Sequence, residues 1–242
     1  GLAVVVLGTL LALVVVAFAI LSTLTAPKLR DEAVDLPEGV PWPRVSLIVP
    51  ACNESSTIET AARTLLGIDY PDLEIILIND RSEDGTGAIV DALSKEDDRV
   101  CALHIQDLPE GWLGKLNALH VGTQRASGDL LLFTDADVHF EPESLRRAVT
   151  WMEREQLGHL TLLPRMIGSG FVMNAATSAF AVGYLAAVKA WWVGKPDTRA
   201  YAGVGAFGLV RRADFERTPG WEWLRLELGD DIGLGMMMVR QA

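Results

Sequence analysis

Leu130–Phe140 reads LLLFTDADVHF. Four apolar residues and a Thr predict a buried strand that runs directly into Asp135, Ala136 and Asp137. Acids at the end of a hydrophobic strand lie at the C-terminal edge of a sheet, where open α/β folds bind ligands. Two carboxylates one residue apart stay ionised together when a cation joins them. Mg²⁺ takes one or two protein carboxylates and fills the rest of its shell with water and substrate phosphates. The tripeptide is therefore read as half of a metal–diphosphate site. A strand-end turn with solvated acids is the other reading, and the surrounding chain has to decide.

Upstream, the same layout repeats. Arg44–Val49 is a buried strand ended by Pro50, followed by the loop Ala51-Cys52-Asn53-Glu54-Ser55-Ser56 and a helix from about Thr57 to Leu66. Ser and Asn in that loop are expected to cap the helix. Leu73–Ile78 is a second strand, ending in the polar run Asn79–Thr86; a helix to about Ser94 and a third strand, Val100–Ile105, follow. Strands alternating with helices predict a mostly parallel sheet with right-handed crossovers. Neither G-x-G-x-x-G nor G-x-x-x-x-G-K-[ST] occurs, which removes the main support for a dehydrogenase or P-loop reading. Lys115 opens a helix running to about Ala126. A cation there opposes the helix dipole, so it is either simply solvated or faces an anion together with the helix start.

Downstream, a helix is expected from Pro142 to about Glu155, a short strand at Leu160–Leu163, and an apolar helix over Phe171–Val193 that suits an interface or a core. Tyr201–Arg212, YAGVGAFGLVRR, reads as a glycine-punctuated strand. Gly229-Asp230-Asp231 precedes a last helix, Ile232–Val239, where an acid pair can also serve as an ordinary cap. The given chain stops there, and a C-terminal continuation is expected.

Bulk properties bound the rest. Residues 2–26 carry no charge and are rich in Leu, Val and Ala, enough to cross the roughly 30 Å bilayer core. Ala17-Phe18-Ala19 resembles a signal cleavage site, but the apolar run continues past it without a basic n-region, so a retained anchor over residues 1–27 is expected. Residues 28–43, with Pro37, Pro41 and Pro43, read as a juxtamembrane connector, and residues 44–242 as one catalytic domain. Lys28 and Arg30 place that domain on the cytoplasmic side. A net charge of −11 argues against nucleic acid as a partner. Cys52 and Cys101 show no disulfide or metal spacing and read as buried small residues in a reducing compartment.

Taken in order, PACNE (Pro50–Glu54), NDRSEDGT (Asn79–Thr86), GKLNAL (Gly114–Leu119), FTDAD (Phe133–Asp137) and GDD (Gly229–Asp231) resemble the family-2 glycosyltransferases with the GT-A fold. GWLGK and VGAFGLVRR look like segments of membrane-anchored members that act on lipids, the ceramide-, hopanoid- and carotenoid-associated transferases. The resemblance implies an inverting, metal-dependent transferase using Mg²⁺ or Mn²⁺ and a nucleotide-diphosphate sugar, UDP-linked, with a lipid hydroxyl as acceptor. It assigns Pro50, Ala51, Asn53 and Glu54 to the nucleotide pocket and Asp80 to the uracil edge. Lys115 falls beside the diphosphate, Asp135 at ribose or metal, and Asp137 on the metal. Asp231, with Asp230 beside it, matches the general base. Asn79 stands where many members carry Asp, and the Gln-x-x-Arg-Trp element of processive synthases does not occur. The core of a polysaccharide synthase and a non-catalytic membrane scaffold remain as alternatives.

Overall fold

The computed structural model describes residues 1–25, 27–166, 170–195 and 198–241; Ala26, inside the expected anchor, and Ala242 lie outside the described residues. In chain order the elements are α1 (Leu2–Thr25), β1 (Val45–Ala51), α2 (Ile58–Leu66), β2 (Leu73–Asp80), α3 (Thr86–Glu96), β3 (Val100–Ile105), α4 (Gly114–Arg125), β4 (Leu130–Phe133), α5 (Ser144–Arg154), β5 (His159–Thr161), α6 (Gly170–Ala187), β6 (Gly208–Arg211), α7 (Arg212–Phe215), α8 (Gly220–Leu224) and α9 (Asp230–Gln241). Short 3₁₀ turns lie at Leu29–Asp31 and Ala190–Trp192.

The six strands form one sheet in the order β3-β2-β1-β4-β6-β5. β1 pairs in parallel with β2 and β4, and β2 with β3. β6 runs antiparallel to both of its neighbours, which makes the sheet mixed. Strand alternation sorts side chains onto two faces. Val45, Leu47, Val49, Leu130 and Leu132 pack against α2, α3 and α5 through Leu65, Val90, Leu145 and Met152. Ile48, Ile76, Leu131 and Phe133 pack against α4, α8 and α9 through Leu119, Trp221 and Met237. Both layers leave the C-terminal ends of β1, β2 and β4 along one edge, and the chain reverses its strand order between β1 and β4, where such folds place their ligands.

Two compact units result: Gly1–Lys28 with Pro164–Ala202, and Leu29–Leu163 with Gly203–Ala242. The sheet belongs to the second. Within it, residues 29–43 run along α5, where Thr150 Oγ1 donates to the Val34 carbonyl at 3.2 Å and the Arg146 guanidinium lies 5.0 Å from the Trp42 ring centroid. In the first unit α1 packs beside α6, and the Phe18 and Trp191 rings are 5.5 Å apart. α6 is long and apolar enough to cross a membrane by length and composition, and α1 contains the apolar stretch Ala3–Phe18.

Three local expectations are corrected. Tyr201–Phe207 is not strand; β6 begins only at Gly208, because the preceding glycines pack onto acids instead of a neighbouring strand. The α2 start has no side-chain cap, since the Asn53 side chain is turned to the next loop, accepting from the Glu83 N–H at 2.9 Å. Cys52 is exposed rather than buried, because it lies in the loop beyond the end of β1.

Candidate functional site

The end of β4 is fixed by the loop that precedes β6. Thr134 Oγ1 donates to the Ala206 carbonyl at 2.8 Å, and the Asp135 N–H donates to the Gly205 carbonyl at 3.1 Å. The Asp135 carboxylate then meets Lys115, in the first turn of α4, at 2.7 Å. The same ammonium lies 2.9 Å from Asp230 Oδ2, at the start of α9. One cation thus joins acids brought from a strand end and a helix N-terminus almost a hundred residues apart. Burial alone pushes the Lys115 ammonium down, but Asp230 and Asp135 outweigh it and hold it above the ordinary value. Burial raises Asp230 above the usual carboxylate range, against the pull of Lys115.

Asp231 faces the same cleft. Its Oδ2 accepts the Gly205 N–H at 2.9 Å and its Oδ1 the Ile232 N–H at 2.8 Å. The loop approaches this closely because Gly203 and Gly205 carry no side chain. A Cβ on Gly203 would fall 1.7 Å from the Asp231 carbonyl oxygen, and one on Gly205 would fall 2.5 Å from Asp135 Oδ2. Gly203→Ala is therefore expected to displace the start of α9. Overpacking of this kind costs about 1–3 kcal/mol, and a 1 Å misplacement of a reacting group lowers rates about 100-fold. Thermal melting alongside initial-rate kinetics measures both.

The other sequence-predicted residues form a second, adjoining group. Pro50 and Ala51 are buried at the end of β1. Asn53 takes a left-handed backbone (φ 57°), its N–H donating to Ser82 Oγ at 3.0 Å, and the Glu54 N–H donates to Thr86 Oγ1 at 2.9 Å. The loops after β1 and β2 are thereby tied into one wall. Asp80, the last residue of β2, is 2% exposed, and both its oxygens are held by the Arg81 guanidinium at 2.8 and 3.0 Å. Gly114 sits against this pair, since a Cβ there would lie 2.7 Å from Asp80 Oδ2. Lys115 follows directly, so α4 touches both groups. Asp137 is exposed and lies two residues beyond Asp135, outside the lining of the cleft. Among the described residues, no three His, Cys, Asp or Glu side chains gather as a ready-made metal cage.

Sequence reasoning missed three residues here. Arg81 follows the strand-final acid in NDRSED, and that adjacency is the only signal it gives. Trp221 lines the floor of the cleft and donates to Thr123 Oγ1 at 2.9 Å. His159 also lines it, with its Nε2 buried and unpartnered. Burial pushes the imidazole down to about 4, so it is neutral in the fold. The unfolded chain takes up the proton first, near pH 6.5. Stability is thus complete above that pH and is lost as the pH falls from 6.5 towards 4, by up to about 3 kcal/mol. Thermal midpoints across that range should show the slope, and His159→Phe should remove it.

Comparison with known proteins agrees with this architecture. The family model described as "Glycosyl transferase family 2" matches residues 46–193. Among curated relatives, a probable glycosyltransferase, YdaM, of Bacillus subtilis is 35% identical over 113 residues, 46% of this chain and 25% of its own length. The GalNAc(5)-diNAcBac-PP-undecaprenol beta-1,3-glucosyltransferase of Campylobacter jejuni is 37% identical over 95 residues, 39% of this chain and 30% of its own. The beta-monoglucosyldiacylglycerol synthase of Trichormus variabilis is 28% identical over 200 residues, 79% of this chain and 40% of its own. The chain thus spans well under half the length of these relatives. Among solved structures, a mannosyltransferase from Pyrobaculum calidifontis in complex with GDP-Man and Mn²⁺ superposes with a TM-score of 0.61 at 22% identity, covering 93% of this chain and 60% of that one. At that identity the likeness speaks for the fold.

Proposed function

Because this chain belongs to glycosyl transferase family 2 and has a GT-A type fold, we propose that it moves a sugar from a nucleotide-diphosphate sugar, UDP-linked, to the hydroxyl of a membrane lipid, with inversion at the anomeric carbon. The observation that carries this reading is Lys115, held between Asp135 and Asp230 with Asp231 beside them. A departing nucleoside diphosphate needs its charge neutralised, and a half-buried ammonium at the helix start is placed to do so. The acceptor oxygen attacks the anomeric carbon, the bond from that carbon to the diphosphate oxygen breaks, and the acceptor proton passes to the Asp231 carboxylate.

Asp135 and Asp137 suit Mg²⁺ or Mn²⁺, since a hard cation that takes most of its shell from water and phosphate oxygens requires only one or two protein carboxylates. When bound, that cation adds charge neutralisation at the diphosphate. Pro50, Ala51, Asn53 and Glu54 form the wall proposed for the nucleoside, with Asp80 and Arg81 at the base edge.

Two relatives support a lipid acceptor by their names, the undecaprenol-linked glucosyltransferase and the diacylglycerol-lipid synthase. α1 serves in this reading as the anchor over residues 1–27, with 28–43 as connector and 44–242 as the catalytic part on the cytoplasmic side. A polymer-forming reading is favoured by the poly-beta-1,6-N-acetyl-D-glucosamine synthase of Staphylococcus epidermidis, 30% identical over 131 residues. Incubation with radiolabelled UDP-sugars, GDP-mannose and a bacterial lipid extract separates the two. Label partitioning into the organic phase supports the lipid acceptor; label in a water-soluble or insoluble polymer overturns it.

A further inference from the structure

α6 meets the length and composition of a membrane span, yet the fold around it forbids a crossing. The excursion that contains it leaves the sheet at Thr161 and returns at Gly208, and these two residues are direct partners in the β5–β6 ladder. Whatever lies between must therefore depart and come back on one side of a bilayer. Among the described residues between them, α6 is the one helix of span length, and the described part of the return limb holds only the three-residue turn Ala190–Trp192. Non-helical backbone does not cross hydrocarbon exposed to lipid, because its polar groups have no partners there.

The surface of α6 is nonetheless wrong for water. None of its residues is buried, and Phe171, Val172 and Phe180 are 88%, 80% and 64% exposed. Apolar patches of this kind mark interaction sites. Its C-terminal flank has the chemistry of the headgroup layer. Trp191 and Trp192 follow the helix, and the Lys189 ammonium sits 5.5 Å from the Trp192 ring centroid. Residues 164–202 hold four basic residues, Arg165, Lys189, Lys195 and Arg199, against one acid, Asp197, in a chain whose net charge is −11. Local positive charge beside exposed aromatics complements an anionic leaflet.

We propose that the 164–202 excursion is a monotopic membrane dock: α6 enters the headgroup–acyl boundary of one leaflet and leaves by the same face, with Trp191, Trp192 and the basic flank at headgroup level. The catalytic unit thereby gains a second tether to the membrane that, in the proposed function, presents the lipid acceptor. This goes beyond the anchor reading of α1, which would by itself leave the catalytic unit tethered at one point.

The test uses the full chain, with Cys52→Ser and Cys101→Ala, in vesicles of phosphatidylcholine with one-third phosphatidylglycerol. Nitroxide labels at Phe180→Cys and Leu11→Cys report depth through their relative exposure to oxygen and to a water-soluble nickel chelate. A membrane-impermeant maleimide reports sidedness at Arg165→Cys, Arg199→Cys and, on the catalytic unit, Lys95→Cys. The expected result is a Phe180 label about 5–10 Å below the phosphates, with positions 165, 199 and 95 all modified from the same side. A Phe180 label in water, or positions 165 and 199 modified from opposite sides, overturns the dock. A Leu11 label in water with Phe180 in lipid would refute the anchor reading and leave the dock standing.

Discussion

Asp231→Asn should lower kcat by about 10²–10⁴-fold, the usual contribution of a positioned general base, while donor affinity stays within a few-fold of wild type. The carboxylate is fixed by the Gly205 and Ile232 amides, which leaves it anchored at the start of α9 and facing the cleft. Asn keeps the size and one acceptor but cannot take the acceptor's proton. Its amide group would also oppose one of the two N–H donors, so the variant's thermal midpoint should be measured beside its kinetics. A fall in kcat with an unchanged donor Kd assigns the base to Asp231. Equal activity in Asp231→Asn and wild type would move the base elsewhere, and Asp230→Asn would then be the variant to examine.

Lys115→Met should be nearly as damaging, by about 10²–10³-fold in kcat, comparable to removing one preorganised charge-stabilising donor. The loss has two sources. The leaving diphosphate loses its cation, and Asp135 and Asp230 are left sharing a half-buried space with no positive charge between them. Burial already raises Asp230, and without the opposing pull of Lys115 it rises further, so this carboxyl holds its proton to a higher pH than in wild type. The variant should therefore regain part of its donor affinity as the pH falls. Lys115→Arg should not rescue, because a planar fork cannot replace a compact ammonium between two acids from different elements. Donor Kd and kcat measured from pH 5.5 to 8.5 separate these effects.

Much of this site was legible because its acids follow strands. Apolar runs ending in Asp80 and Asp135 place those residues at one sheet edge from pattern alone, and Val100–Ile105 is strand in both the sequence reading and the structure. Most of the failures depend on a partner distant in sequence, and the rest on a backbone conformation that no local pattern announces. Gly203 and Gly205 alternate with apolar residues as a strand would, but their positions are set by Asp231 and Asp135. β2 continues two residues further than its apolar run because Asn79 and Asp80 complete the ladders with β1 and β3. Asp80 was legible as a strand-final acid, whereas its full occupation by Arg81 depends on a left-handed backbone at φ 54° that no local pattern announces. His159 is polar in sequence and acquires its character only from its place in the cleft, whose lining it shares with Trp221 and Leu234.

The central claim, that the cleft at Lys115 and Asp135, with Asp137 two residues on, holds a nucleoside diphosphate with a divalent cation, is tested most directly by calorimetric titration of UDP into the protein. The titration is run with Mn²⁺, with EDTA, and on Asp137→Ala. Saturable binding that requires Mn²⁺ and fails in Asp137→Ala is the predicted result. A folded protein that binds neither UDP, GDP nor dTDP in any condition, or binds UDP equally well in EDTA, would contradict it.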